Sequence, residues 1–181
     1  MLSKKAQIVI ISGSPATGKT SIAEALAEKL PNDRIVHIHT DDFYNYIHKG
    51  YIKPWLPEAS EQNTIVIESY VASTKVFALN DYTVIVDGVI GAWFLEPWRA
   101  LRKEGFDVRY IILCPDLETA ITRNNNRNKQ LPIETITDMW NSFSSINSHK
   151  NHTIDTTLYT IDESTLMIMA MINEGKFKLN F

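Results

Sequence analysis

The chain holds one cysteine, Cys114, among 181 residues. An internal disulfide is thereby excluded, and a reducing cytoplasm is the expected setting. No stretch approaches the roughly 20 apolar residues of a membrane helix, and there is no internal repeat or low-complexity linker. Positive charge is not in excess: 18 Lys and Arg stand against 21 Asp and Glu, a net charge of −3. That balance argues against a general nucleic-acid or membrane-surface binder. Met1–Ile11 opens like a signal peptide, with two lysines and an apolar run. The run is too short, lacks a small-residue cleavage site and reads instead as a first strand. What is present is ordinary globular composition, 44% apolar and 22% charged. The length suits one α/β domain spanning 1–181.

The chain is organised around Gly13-Ser14-Pro15-Ala16-Thr17-Gly18-Lys19-Thr20, which fits G-x-x-x-x-G-K-[ST]. Gln7–Ser12 before it is a β-branched apolar run, and Lys19–Leu30 after it carries Ile22, Ala23, Leu26, Ala27 and Leu30 at helical spacing. The motif therefore sits between a strand and a helix. There the loop amides and the positive end of the helix converge on a phosphate. Gly13 and Gly18 allow backbone angles and close approaches that a Cβ would block. Lys19 can reach the β- and γ-phosphates, and the Thr20 hydroxyl can hold Mg²⁺.

Arg34–His39 reads as a second strand, with His37 and His39 as packed strand residues, followed by Thr40-Asp41-Asp42-Phe43-Tyr44. Polar residues just past a strand end lie where α/β sheets bind ligands. Alternation sends Asp41 and Asp42 different ways, so one of them is expected in the site. The long aromatic connection that follows, about 43–62 and including Trp55, is expected to be an acceptor-binding flap. Ser60 is expected to cap a helix reaching about Leu79, with Ile65, Tyr70 and Phe77 buried. Tyr82–Asp87 is a third strand ending in a carboxylate, the Walker B pattern, which places Asp87 beside Thr20 at Mg²⁺. Gly88, Gly91 and Trp93 follow and are candidates for the acceptor pocket. A short helix opened by Pro97 carries Arg99 and Arg102 on what reads as a solvated face. Val108–Leu113 is a fourth strand, and Asp116 caps the next helix. That helix is expected to carry Arg123 and Arg127, four apart on one face, where two guanidinium groups suit a triphosphate. Ile133–Ile146 forms another helix, Thr153–Thr157 a short fifth strand or its end, and Glu163–Asn173 the last helix.

With a phosphate loop after strand one, a carboxylate after strand two, Asp87 after strand three and Arg-x₃-Arg after strand four, the chain resembles the small P-loop kinases. These include gluconate and shikimate kinases, adenylate kinase and chloramphenicol phosphotransferase. The resemblance implies a three-layer P-loop fold, a five-stranded mainly parallel sheet of order 2-3-1-4-5 with helices on both faces. It further implies ATP and Mg²⁺ as cofactors, a lid at about 123–132, and an adenine site near Arg123 and Thr156-Thr157-Leu158. Asp41-Asp42-Phe43 is similar to the Asp-x-Phe segment of uridine and pantothenate kinases, in which the first Asp is the base; that maps onto Asp41. Shikimate and gluconate kinases carry Asp-x-Asp, which would map the substrate role onto Asp42 and leaves Thr40 where their first Asp stands. The Gly-Gly-Gly segment of shikimate kinase is absent, and Ala16 replaces a glycine common in such loops. Gly50–Glu58 is similar to phosphotransferase-like ATP-binding proteins. The expected activity is transfer of the γ-phosphoryl group of Mg·ATP to a small-molecule hydroxyl: a sugar acid such as gluconate, a shikimate-like acid, a nucleoside or an antibiotic. The alternative is a regulatory P-loop ATPase without an acceptor. Asn128-Lys129 is followed by Gln130-Leu131, so the guanine-reading Asn-Lys-x-Asp motif of GTPases is missing, as is an ABC signature.

Overall fold

A computed structural model of the chain describes residues 6–145 and 147–180. The first five residues of the signal-like segment and the expected helix end at Ile146 lie outside the described residues. Five strands form one sheet: β1 (Gln7–Ser12), β2 (Ile35–His39), β3 (Thr83–Asp87), β4 (Asp107–Leu113) and β5 (Thr153–Ile154). Their order is β2-β3-β1-β4-β5 and every pairing is parallel, as the crossover helices require. The sheet is therefore the expected 2-3-1-4-5.

The strands are β-branched runs because both faces are covered. Ile8 and Ile10 of β1 point to one layer, with α3 (Ser60–Leu79) and α4 (Glu96–Lys103). Val9 and Ile11 point to the other, with α1 (Lys19–Lys29) and α7 (Ile161–Asn173). β5 covers only the upper part of β4, at Ile112 and Leu113. The lower part is paired antiparallel by the tail at Lys178, with Tyr110 N–H donating to Phe177 O (2.9 Å). β5 ends before the expected Thr157 because Asp155 turns out of the ladder, its side chain accepting from the Thr157 amide (2.9 Å).

Helices α3 and α7 depart from expectation. A 3₁₀ turn at Pro57–Ala59 runs directly into α3, so Ala59 rather than Ser60 is its N-cap. The buried face of α3 is Asn63, Val66, Ile67, Tyr70, Val71, Thr74 and Ala78; Ile65 (56% exposed) and Phe77 (38%) lie outside it. Ile65 sits one helical step, 100°, from the buried stripe, and Phe77 packs edge-on against Tyr82 instead. α7 starts two residues early because Thr160 and Glu163 form a capping box.

Candidate active site

The phosphate loop joins the C-terminal end of β1 to α1, with Gly18 as the N-cap at φ 92°. Ala16 also adopts the left-handed conformation, φ 63°. With a Cβ this costs about 1–2 kcal/mol, a strain held inside the loop. Thr17 Oγ1 and Lys19 Nζ both donate to the Ser14 carbonyl, at 3.0 and 2.8 Å, closing the loop on itself. Pro15 is buried. The buried Ser14 hydroxyl has no hydrogen-bond partner among the described residues. An orphaned polar atom among inward loop amides suits a phosphate group.

Gly13 has φ 145°, and a Cβ there would run into the Leu113 carbonyl of β4 and come within 2.9 Å of Thr17 Oγ1. Neither the strand backbone nor the loop can yield. Gly13→Ala is expected to cost about 2–3 kcal/mol, or roughly 5–10 °C in Tm for a chain of this size, and to abolish nucleotide binding. Thermal unfolding with and without ATP checks this.

Asp87, fully buried at the end of β3, is the hub of the site. Thr20 Oγ1 donates to its Oδ2 at 2.7 Å. His37 Nε2 donates to Oδ1 at 2.6 Å, and His39 Nδ1 lies 3.0 and 3.1 Å from Oδ1 and Oδ2. Burial alone would raise this carboxyl; the hydrogen bonds from His37, His39 and Thr20 prevail and hold it well below the usual carboxylate range. In turn the Asp87 bond raises His39, against its own burial. The histidines are thus not merely packed strand residues. Two residues apart, they face the same side of β2, and the parallel register sets His39 opposite Asp87. The His-x-His spacing was the signal; it becomes informative only once β2 is known to neighbour β3. Thr20 and Asp87 together offer hard oxygen donors of the kind that suit Mg²⁺.

Lys19 is pushed down to about 8 by burial, opposed by the charges of Asp41 and Asp87 and aided by that of Arg127. In the free protein the ammonium therefore titrates at about 8, below the ordinary 10.5 of an exposed lysine. A bound triphosphate restores the proton. ATP affinity is accordingly expected to fall as pH rises above about 8, by up to about tenfold per pH unit, with one proton taken up on binding at pH 9. Calorimetry at pH 9 in two buffers of different ionisation enthalpy reads the uptake. The same sign makes the free protein gain stability from this group as pH climbs from about 8 towards 10.5, since the unfolded chain then binds more protons.

Thr40 begins α2 (Thr40–Asn45), so Asp41 and Asp42 stand in the first turn of a helix and not on an extended strand. Both are exposed. Asp41 Oδ2 lies 3.9 Å from His39 Nε2, and its charge also acts on Lys19, Tyr44 and Tyr70. Among the described residues Asp42 forms no ion pair, although its charge reaches His39. Gly88 follows Asp87, and its Cα is pressed against the Thr40 side chain, where any Cβ would clash. The stretch 43–62 is pinned by side chains. Gln62 bonds both the amide and the carbonyl of Ile52 (2.8 and 2.7 Å), Asn63 donates to Pro54 O (2.8 Å), and Tyr44 donates to Asn63 (3.0 Å). Trp55 (53% exposed) lies under Lys53, and Trp93 (56% exposed) packs on Phe94 and Phe143. Arg99 pairs with Glu96 on the α4 surface, as a solvated face would.

Asp116 caps α5 (Leu117–Asn125) through the Thr119 amide. The helix ends before Arg127, so the two arginines do not share a helical face. Asn124 stops it: its buried side chain bonds both the amide and carbonyl of Leu131, folding the chain back (3.1 and 2.9 Å). Arg123 donates to Thr17 O (3.4 Å) and to Thr156 O (3.0 Å), tying the phosphate loop to the turn after β5. Arg127 acts on Lys19 through its charge.

A family model described as Zeta toxin matches residues 2–138. No curated protein matches in sequence. Among solved structures, the tunicamycin resistance protein of Deinococcus radiodurans superposes with a TM-score of 0.70 at 19% identity, covering 92% of this chain and 95% of that one. A gluconokinase from Sinorhizobium meliloti 1021 gives 0.64 at 13%, covering 96% and 94%. Shikimate kinase from Acinetobacter baumannii, in complex with shikimate, gives 0.64 at 18%, covering 97% of each chain. At these identities the likeness establishes the fold, which is that of the P-loop small-molecule kinases.

Proposed function

The chain belongs to the Zeta toxin family, and from that premise we propose that it transfers the γ-phosphoryl group of Mg·ATP to a hydroxyl of a small molecule. The observation that carries this reading is the convergence of three elements at the C-terminal edge of the sheet. Lys19 and Thr20 come from the loop, Asp87 from β3 and Asp41 from α2, and the charges of both acids act on Lys19. In this reading Lys19 and the loop amides hold the triphosphate, and Thr20 and Asp87 hold Mg²⁺, which would neutralise charge developing on the phosphates. Asp41 accepts the proton of the attacking hydroxyl. Arg123 and Thr156 border the adenine, and Arg127, in a lid of about 123–132, meets the γ-phosphate. The pinned stretch 43–62 with Gly88 walls the acceptor, and Trp55 and Trp93 meet it only if the acceptor extends to the rim. Catalysis is then positioning plus charge stabilisation.

The test is ADP release from Mg·ATP across a panel of gluconate and other sugar acids, shikimate, nucleosides, pantothenate and hydroxyl-bearing antibiotics. Strong stimulation by one member supports the kinase. Slow release indifferent to all of them, with a protein partner bound differently in ATP and ADP, supports the regulatory ATPase.

A further inference from the structure

The imidazole of His39 stands between the two carboxylates on which the proposed chemistry depends. Its Nδ1 faces Asp87 at 3.0 and 3.1 Å, and its Nε2 faces Asp41 at 3.9 Å. The two acids differ in every other respect. Asp87 is fully buried, with its oxygens also held by His37 and Thr20. Asp41 is 68% exposed along its side chain, on the first turn of a six-residue helix, and among the described residues its ion-pair partner is His39. Left alone, such a side chain would sample several rotamers in water. A base must instead stand within hydrogen-bond reach of one proton.

Direct metal ligation by the histidines is not what the geometry offers. Among the described residues no group of three His, Cys, Asp or Glu side chains is disposed to hold an ion. The 2.6–3.1 Å separations around Asp87 are hydrogen bonds, aimed at the carboxylate and not at a shared centre. Carboxylates that ligate a metal are themselves oriented by such bonds, and removing the partner typically costs 10–100-fold.

We propose that His39 is a positioning residue that couples the metal side of the site to the acceptor side, hydrogen-bonding Asp87 through Nδ1 and drawing Asp41 towards the site by charge through Nε2, with His37 bracing Asp87. This rests on the kinase reading, in which Asp87 faces Mg²⁺ and Asp41 the acceptor. The ring lies between the two acids, hydrogen-bonded to Asp87 and, when protonated, at ion-pair distance from Asp41, so a metal that settles on Asp87 also changes the field in which Asp41 stands. No covalent step and no proton transfer through the ring is required.

The two nitrogens can be separated by substitution. An Asn amide reaches where Nδ1 stood, and a Gln amide reaches where Nε2 stood. His39→Asn, His39→Gln and His39→Ala are compared by three readouts. These are Mn²⁺ affinity in the presence of ADP by electron paramagnetic resonance, phosphoryl transfer as ADP release from saturating Mg·ATP with the most stimulating acceptor of the panel, and thermal unfolding of the free protein. Coupling predicts that His39→Asn keeps Mn²⁺·ADP affinity within about threefold but loses about 10–100-fold in transfer. His39→Gln should do the reverse, weakening Mn²⁺·ADP binding by a similar factor with a smaller loss of transfer at saturating metal. His39→Ala should lose both. Three variants that fall together in step with Tm, or that change neither binding nor transfer, would overturn the proposal. Asp41→Asn and Asp87→Asn run in parallel separate its failure from that of the underlying reading. If Asp41→Asn transfers normally, the base assignment falls and takes the Nε2 arm with it. If Asp41→Asn is inactive while His39→Asn is normal, only the coupling falls.

Discussion

Lys19→Ala is expected to lower turnover by about 10³-fold and to leave the melting temperature of the free protein unchanged or slightly raised. The two halves of this expectation have separate causes. In the transition state charge spreads over the phosphoryl oxygens, and a preorganised ammonium in a water-poor site is worth several kcal/mol against it. In the free protein the same ammonium is a burden, since burial pushes Lys19 down to about 8 despite the attraction of Asp41 and Asp87. Removing a charge that the fold disfavours releases that cost. The Ser14 carbonyl loses the Lys19 donor and keeps the Thr17 hydroxyl. ADP release and thermal unfolding, measured side by side, read both halves. Near-normal turnover would refute the proposed role of the loop, and a collapse in Tm would make Lys19 a structural residue.

Asp41→Asn should cost about 10²–10⁴-fold in phosphoryl transfer while ATP affinity changes little, because the amide keeps the size and loses the basicity. Asp42→Asn should be close to neutral. Both acids are exposed and adjacent, so the distinction rests on surroundings. Asp41 faces His39 Nε2 and acts on Lys19, whereas Asp42 stands one helical step away with no ion pair among the described residues. Single-turnover kinetics with labelled ATP, alongside equilibrium binding, separate transfer from affinity. The opposite ranking, with Asp42→Asn inactive, would favour the Asp-x-Asp alignment.

The sheet was legible because each strand is a compact β-branched run closed by a turn or a polar residue, and the phosphate loop because its spacing falls between a strand and a helix. The Thr20–Asp87 contact follows from those two features alone. The histidines were not legible one strand at a time: His37 and His39 read as packing until strand order puts β2 beside the end of β3. Arg127 was misplaced because four-residue spacing presumes a continuing helix, while Asn124 closes onto Leu131 and ends it. The buried face of α3 is the one that packs on the sheet and α4, a tertiary feature that leaves Ile65 outside. The stretch 43–62 shows no period because long-range side-chain to backbone bonds from Gln62 and Asn63 hold it, and such bonds leave no repeating trace in sequence.

The central claim is that the γ-phosphoryl group leaves ATP for a hydroxyl other than that of water. Phosphorus NMR of the reaction with Mg·ATP and the most stimulating acceptor follows that group directly. The account predicts a phosphomonoester resonance on the acceptor growing in step with ADP and absent with Lys19→Ala. Inorganic phosphate appearing in equal amount to ADP, with no acceptor ester at any concentration of any panel member, would contradict it.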